Sequence, residues 1–553
     1  MLTTSLAEII CLGAVVPFLG ILSNPEEVFQ YTYIQPIVNF FNLTDPNQLI
    51  LPLTIIFVSS VILVGSLRLF LLHVITRLSY AAGADLSIDI YRRTLYKKYE
   101  QHIESNSSEI INSIITKTNI VIGGVLLPSL TLVSSFFLFI SILGTLLFIN
   151  TSIALIASIG FGVLYYMVTH YTRKRLKINS EIIANQSNGM IQSLQEGLGG
   201  IREVLIDGTQ EFYCRIYRKA DLQLRKASGD NVFIISSPRY VMESLGMTLI
   251  AVLAYNIHQN NNNFIPLVGV LALAAQRLLP VLQQMYGSYA TISSASKSFE
   301  DVLGLLRNPL PNYQNHSLSE LIPFENEIRL QGLSYRYSPK TPYILKNINI
   351  AIKKGSRVGF IGKTGCGKST LLDIMMGLLS PTMGELVIDG QIITEKNFRQ
   401  WQNHIAHVPQ NIYLFDSSIE KNIAFGVAEE DIDHLRVIKA ARQANIHEVI
   451  ESWTDQYQTV VGERGVRLSG GQQQRIGIAR ALYKQTDVLV LDEATSALDN
   501  KVEQSVIREI KNLGNEVTIL MIAHRLSSLK ECDQIFELSK DGISIKKMDK
   551  IYD

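Results

Sequence analysis

Nearly all long apolar runs in this 553-residue chain fall before residue 292. A helix needs ~20 mostly apolar residues to cross the ~30 Å hydrocarbon core of a bilayer, and six windows meet or approach that length. They are Leu2–Leu22, Ile50–Ile75, Ile120–Ile149, Ser152–Tyr171, Val232–Ile257 and Phe264–Tyr289. The pattern therefore predicts six membrane-spanning helices. Arg307 to Asn326 holds three prolines and a polar cluster, the composition of a linker. Beyond it, short apolar runs separated by polar turns read as an α/β domain. The expected division is a membrane domain at 1–306, a linker at 307–326 and an α/β domain at 327–553.

The connections between windows alternate in length and charge. Residues 23–49, 150–151 and 258–263 carry no Lys or Arg, whereas 76–119 carries Arg77, Arg92, Arg93, Lys97, Lys98 and Lys117, and 172–231 carries ten basic residues. Excess Lys and Arg marks cytoplasmic loops, which puts both long loops and the C-terminal half on the cytoplasmic side of a cell membrane. Both loops are rich in helix formers, so they should continue the spans as rigid levers that turn at Tyr99–Asn106 and Asp207–Glu211.

A net charge of +1 with no Lys/Arg-rich block gives no reason to expect a nucleic-acid partner. Cys11, Cys214, Cys366 and Cys532 are scattered without a CxxC pair, which supports neither a disulfide framework nor a zinc site. The first apolar run lacks a basic leader, carries Glu8 and has no small-residue cleavage pattern, so it reads as a span and not as a removable signal.

The chemistry lies in the second half. Gly362, Lys363, Thr364, Gly365, Cys366, Gly367, Lys368, Ser369 and Thr370 (GKTGCGKST) fit the phosphate-loop pattern and follow the strand-like run Val358–Ile361. Glycines let backbone N–H groups wrap phosphates, and the following helix N-terminus favours negative charge. Lys368 neutralises β and γ oxygens, and the Ser369 hydroxyl is a Mg2+ ligand. Val488 to Leu491 forms a buried-strand run that delivers Asp492 and Glu493 to its polar end, Asp492 to hold Mg2+ and Glu493 to polarise an attacking water.

Leu468-Ser469-Gly470-Gly471-Gln472 (LSGGQ), placed between these motifs, resembles the signature of ABC transporters. The resemblance covers essentially the whole chain and implies a type 1 ABC exporter fold, six spans followed by a P-loop ATPase that uses ATP and Mg2+. It implies roles residue by residue. Tyr337 in YRY matches the aromatic on which adenine stacks, with an ordinary strand aromatic as the alternative. Gln410 in HVPQN matches the glutamine that touches Mg2+ or water, Asp499 in SALD the D-loop, and His524, 31 residues after Glu493, the switch histidine at the γ-phosphate. In the family, Ser469, Gly470, Gly471 and Gln472 of one cassette close over ATP held by another. One cassette per chain thus implies a dimer, and the intact Glu493 and signature favour a homodimer over a heterodimer. The chain departs from the family by starting inside its first span at Met1.

Within the family, SSPRYVMESLGM and QRLLPVLQQMYGSY resemble the bacterial flippases that move lipid-linked oligosaccharides for protein N-glycosylation. That resemblance implies a lipid-linked substrate, cavity arginines at Arg68, Arg239 and Arg277, and an interfacial helix in the 27-residue outer loop, carried by Val28, Tyr31, Ile34, Ile37, Phe40 and Phe41 despite Pro36. A plain connecting loop is the alternative. At 1.5 Å per residue, Arg239 and Arg277 fall at nearly one level, ~10 Å above the inner boundary, whereas Arg68 falls near that boundary, where snorkelling explains it. The bland reading pairs Arg239 with Glu243 and Arg277 with Glu8. A multidrug, peptide or other lipid exporter of the same architecture is the alternative function.

Overall fold

The computed structural model describes residues 1–23, 25–31, 34–41, 43–149, 151–260, 265–310, 322–495, 497–511, 514, 516–523, 529–539 and 542–546. It forms two compact units, 1–97 with 104–310, and 98–103 with 311–553.

In the first unit the described residues of each of the six apolar windows are helical. The helices are α1 (Leu2–Ser23), α2 (Ile50–Leu95), a continuous stretch ending in α3 (Leu127–Ile149), α4 (Thr151–Gly199), α5 (Gln210–Asn260) and α6 (Ile265–Ser294). Three stretches among the described residues, at 2–22, 46–95 and 107–148, are long and apolar enough to cross a membrane by length and composition. Helix α2 has 46 residues, about 69 Å at 1.5 Å per residue, more than twice the hydrocarbon thickness. The surplus length is the lever expected from the long basic loops. Leu12, Ile142, Phe161, Met242 and Leu278, one from each of five helices, meet in a common buried cluster.

The lever ends turn where the polar residues interrupt the apolar spacing. A six-residue helix at Tyr99–Glu104 precedes Asn106, whose side chain caps the next helix by accepting from the Ser108 N–H at 3.0 Å. At the other end Ile201–Ile206 gives way to a turn with Gly208 at φ 64°, and α5 begins at Gln210. The stretch 107–149 contains two π turns, Ser113–Lys117 and Ile122–Leu126, which periodicity does not foretell. Lys117, 1% exposed, reaches Asp301 at 2.6 Å on α7 (Ser296–Leu306). The guanidinium of Arg93 donates to the carbonyls of Leu306 and Asn308 at 2.9 and 2.7 Å, satisfying the C-terminal end of α7.

The outer loop corrects the expectation of an interfacial helix. It folds as two short helices, Pro25–Phe29 and Gln35–Phe41, and a 3-10 turn, Pro46–Leu49. Val28, Ile34 and Val38 are buried with Ile21 of α1 and Leu53 of α2. The described apolar residues Val28, Ile34 and Val38 are therefore spent on the ends of α1 and α2, because a seven-residue helix is too short to stand alone. The side chains of Ile37, Phe40 and Phe41 lie outside the described residues.

The second unit contains two sheets. An antiparallel sheet has the order β2-β1-β4-β5, with β1 (Glu327–Tyr335), β2 (Leu345–Lys353), β4 (Met383–Ile388) and β5 (Gln391–Ile392). The other has the order β10-β9-β3-β8-β7-β6, with β3 (Arg357–Ile361), β6 (Ile405–Val408), β7 (Val488–Asp492), β8 (Thr518–Ile522), β9 (Gln534–Ser539) and β10 (Gly542–Lys546). Five of these strands run parallel, and β10 returns antiparallel to β9. Strand alternation divides the core. Leu489, Leu491, Ile519 and Met521 face one cluster, whereas Val488, Val490, Leu520 and Ile522 face the other with Phe360. Both faces of β7 and β8 are thus covered, which is why these strands read as unbroken apolar runs. Ile322 and Phe324 are buried in the second cluster, and the Asp389 carboxylate accepts from the N–H groups of Asn326 and Glu327 at 3.0 and 2.7 Å.

Candidate nucleotide site and membrane charges

In an open parallel sheet, ligands bind beyond the carboxyl ends of the strands. The register puts Phe360 of β3, Ile522 of β8 and Asp492 of β7 side by side, so the loop leaving β3 and the acidic end of β7 are one strand apart. The loop from Gly362 leads into α8 (Lys368–Met375). Gly362 and Gly367 have φ of 150° and 100°, and a Cβ on Gly362 would lie 2.4 Å from the Leu538 carbonyl oxygen, so only glycine fits there. The Lys368 ammonium folds over this loop and donates to the carbonyls of Gly362 and Lys363 at 2.9 and 3.3 Å. Ser369 and Thr370 lie in the first turn of α8, and Tyr337 is hydrogen-bonded through its hydroxyl to Thr370 Oγ1 at 3.2 Å. The tyrosine expected at the base is therefore beside the phosphate-loop helix.

Strands β6 and β7 pair Val408 with Leu491, and two residues further on Gln410 faces Glu493. The Gln410 amide donates to the Glu493 carboxylate at 2.7 Å. Glu493 itself is at φ 50°, and its N–H is bonded to the Ile522 carbonyl at 3.1 Å. Asp373 on α8 has its carboxyl pushed up to about 6, first by burial and then by the negative charge of Asp492. Sequence reasoning does not single out Asp373; the spacing of five residues from Lys368 on one helix is its only signal.

The signature forms the N-terminus of α9 (Gly470–Lys484). Ser469 is the N-cap, and Gln472 accepts from the Ser469 N–H at 2.8 Å while its own N–H donates to Ser469 Oγ at 3.3 Å, a reciprocal capping box. The S-x-x-Q spacing carries that signal. Gly471 lies so close to the Ala497 carbonyl that a Cβ would approach it to 3.2 Å, and Gln474 accepts from the Ala497 N–H at 2.9 Å. Asp499 accepts from the Val502 N–H at 2.9 Å, capping α10 (Asn500–Lys511). Signature and D-loop are thereby tied together. His524 lies outside the described residues.

Residues 98–103 belong to this unit although some 300 positions separate them from their neighbours in it. Lys98 pairs with Glu395, and Glu100 accepts from the Ser380 N–H at 3.4 Å. The Tyr99 phenol is pushed above its ordinary value by burial, then by the charge of Asp373 and by Tyr337. The tip thus sits among the residues flanking the phosphate loop.

In the membrane unit Arg239 pairs with Glu243 at 2.8 Å, one turn along α5. Arg68 of α2 and Arg277 of α6 converge on Glu8 of α1, at 2.9 and 3.3 Å. Depth along the spans groups Arg239 with Arg277 and leaves Arg68 to snorkel; instead Arg68 turns inward, because a buried carboxylate lies within reach of its long side chain.

Two family models match: one described as the ABC transporter transmembrane region, over residues 6–281, and one described as ABC transporter, over 345–496. The chain belongs to the ABC transporter family. An "ATP-dependent lipid A-core flippase" of Cupriavidus pinatubonensis is 27% identical over 467 residues, 83% of this chain and 78% of the relative. A protein of the same description from Chromohalobacter salexigens is 32% identical over 386 residues, 68% of this chain and 65% of the relative. The solved structure described as "a bacterial Atm1-family ABC exporter with ATP bound" superposes with a TM-score of 0.77 at 21% identity, covering 99% of this chain and 95% of that one. The transporter therefore has the type 1 exporter fold, spans the membrane several times with its C-terminal ATPase domain in the cytoplasm, and couples ATP hydrolysis to transport.

Proposed function

We propose that this exporter is a homodimeric flippase for an anionic glycolipid, in the finer reading a lipid-linked oligosaccharide. The proposed parts are the membrane domain at 1–306, the connector at 307–326 and the cassette at 327–553. Arg239 and Arg277 both stand in the ion pairs of the plainer reading, so the substrate class is carried by the charge left over: Arg68 and Arg277 meet a single buried carboxylate, which leaves one guanidinium charge inside the bilayer suited to bidentate recognition of phosphate. The names of the relatives, lipid flippases, support the same class.

In the proposed cycle the loop Gly362–Thr370 wraps the ATP phosphates, Lys368 leaves its two carbonyls for the β and γ oxygens, and Tyr337 stacks on adenine. The oxygens of Ser369, Gln410 and Asp492 form a hard donor set that fits Mg2+, which when bound neutralises phosphate charge. Glu493, oriented by Gln410, polarises the attacking water, and His524 contacts the γ-phosphate. Ser469 to Gln472 and Asp499 complete the site of a second copy, because one cassette leaves one side of the γ-phosphate without donors.

Purified transporter in proteoliposomes, given ATP and fluorescent substrates, tests the reading. Lipid-linked oligosaccharide should be moved across the bilayer and should stimulate hydrolysis. Transport of hydrophobic drugs with no response to phosphate-bearing lipids would overturn the reading.

A further inference from the structure

The transport reading assigns the cargo to the two arginines and gives Glu8, the carboxylate between them, no part of its own in the cycle. Glu8 is fully buried, whereas the side chains of Arg68 and Arg277 are 39% and 30% exposed. Ala7, Cys11 and Val64 form a buried apolar cluster at this turn of α1, and the buried hydroxyls of Thr4 and Ser5, one turn earlier, donate to the Met1 carbonyl. A carboxylate in such a seat needs compensating donors, and among the described residues the two guanidiniums are the cationic groups within reach of it. The trio nevertheless carries one net positive charge.

The two halves of the trio are unequal. One Glu8 oxygen takes a hydrogen bond from Arg68 Nη2 at 2.9 Å, whereas the other meets Arg277 Nη1 at 3.3 Å without one. Arg68 Nε is also buried without a hydrogen-bond partner among the described residues. Each guanidinium offers five donors, and the contacts to Glu8 use few of them. The three residues come from three helices, α1, α2 and α6. Any shift of these helices against one another changes the carboxylate–guanidinium distances, and with them the competition for the two cations.

Resting on the lipid reading above, we infer that Glu8 is a built-in stand-in for the anionic headgroup. Its carboxylate keeps Arg68 and Arg277 aligned between transport events, yields them to the phosphate of the cargo, and retakes them to expel it. A carboxylate and a phosphate compete for the same donors, so the internal anion lowers apparent affinity and speeds release. Glu8 is then a positioning residue that sets how tightly the lipid is held.

The test titrates the ATPase of the full-length transporter in proteoliposomes with polyprenyl diphosphate and with the uncharged polyprenol of equal length. Wild type should respond to the diphosphate alone. Glu8→Gln should lower the half-stimulating concentration by about tenfold and the maximal stimulated rate by about fivefold, because headgroup release slows. Glu8→Asp keeps the charge but draws it back, and should fall between the two; it decides the matter if Glu8→Gln does not fold. Wild type that ignores the diphosphate would overturn the lipid reading and this inference together. Wild type that responds, with both Glu8 variants unchanged or bound more weakly, would overturn the role of Glu8 alone.

Discussion

Glu493 stands in the left-handed region at φ 50°, a conformation that costs a non-glycine residue of order 1–3 kcal/mol and persists only where its surroundings hold it. Here the Ile522 carbonyl takes its N–H, and Gln410 takes its carboxylate. Replacing Glu493 by Gln keeps the shape and removes the base; the expected loss of hydrolysis is roughly 100-fold or more, with ATP still bound, measured by phosphate release and nucleotide retention. Gln410→Ala should also slow hydrolysis, by about tenfold, because the carboxylate loses its orienting donor. His407, on the strand that leads to Gln410, has its imidazole pulled down to about 4 by burial. A folded-state value below the unfolded one means that stability is full above pH ~6.5 and is lost as pH falls through about 4, by up to roughly 3 kcal/mol. Replacing His407 by Gln should flatten the acid limb of a thermal-stability profile between those values.

At the scale of elements, the buried pair of Lys117 and Asp301 joins a π turn to α7. Lys117→Met removes the buried partner, but Asp301 is 23% exposed and keeps Lys297 at 3.2 Å, so the expected destabilisation of about 1–2 kcal/mol should appear as a slightly lower melting temperature in detergent. Elements that carry their own signal are legible in the amino-acid pattern: the apolar windows, the loop after β3, the acidic end of β7 and the capping spacing at Ser469. Long-range features are not. The pairing of Gln410 with Glu493 follows from strand register, and the seat of Arg68 on Glu8 from helix packing, neither of which is written in local periodicity. The outer loop misleads because Val28 and Ile34 look alike whether they meet lipid or protein. The π turns escape notice because one inserted residue per turn leaves an apolar run apolar.

At the scale of the molecule, one cassette per chain and an intact signature fit the homodimer proposed above; on that reading Glu493→Gln with ATP should run as a closed dimer, and cysteines introduced at Ser469 and Thr364 should crosslink between chains only when nucleotide is bound. The tip at 98–103 belongs to the nucleotide unit, and Tyr99 lies near Asp373 and Tyr337. Occupancy of the phosphate loop should therefore slow amide exchange at 99–103, a change that mass spectrometry of the exchanging transporter would detect; unchanged exchange there would contradict the placement. The same feature bears on how the chain is made. The tip leaves the ribosome 297 residues before Glu395, its ion-pair partner. At ~5–20 residues per second the delay is roughly 15–60 s before Lys98 meets Glu395. A chain truncated before β1 lacks Tyr337, Asp373, Ser380 and Glu395 alike, and so leaves the tip without any of these partners.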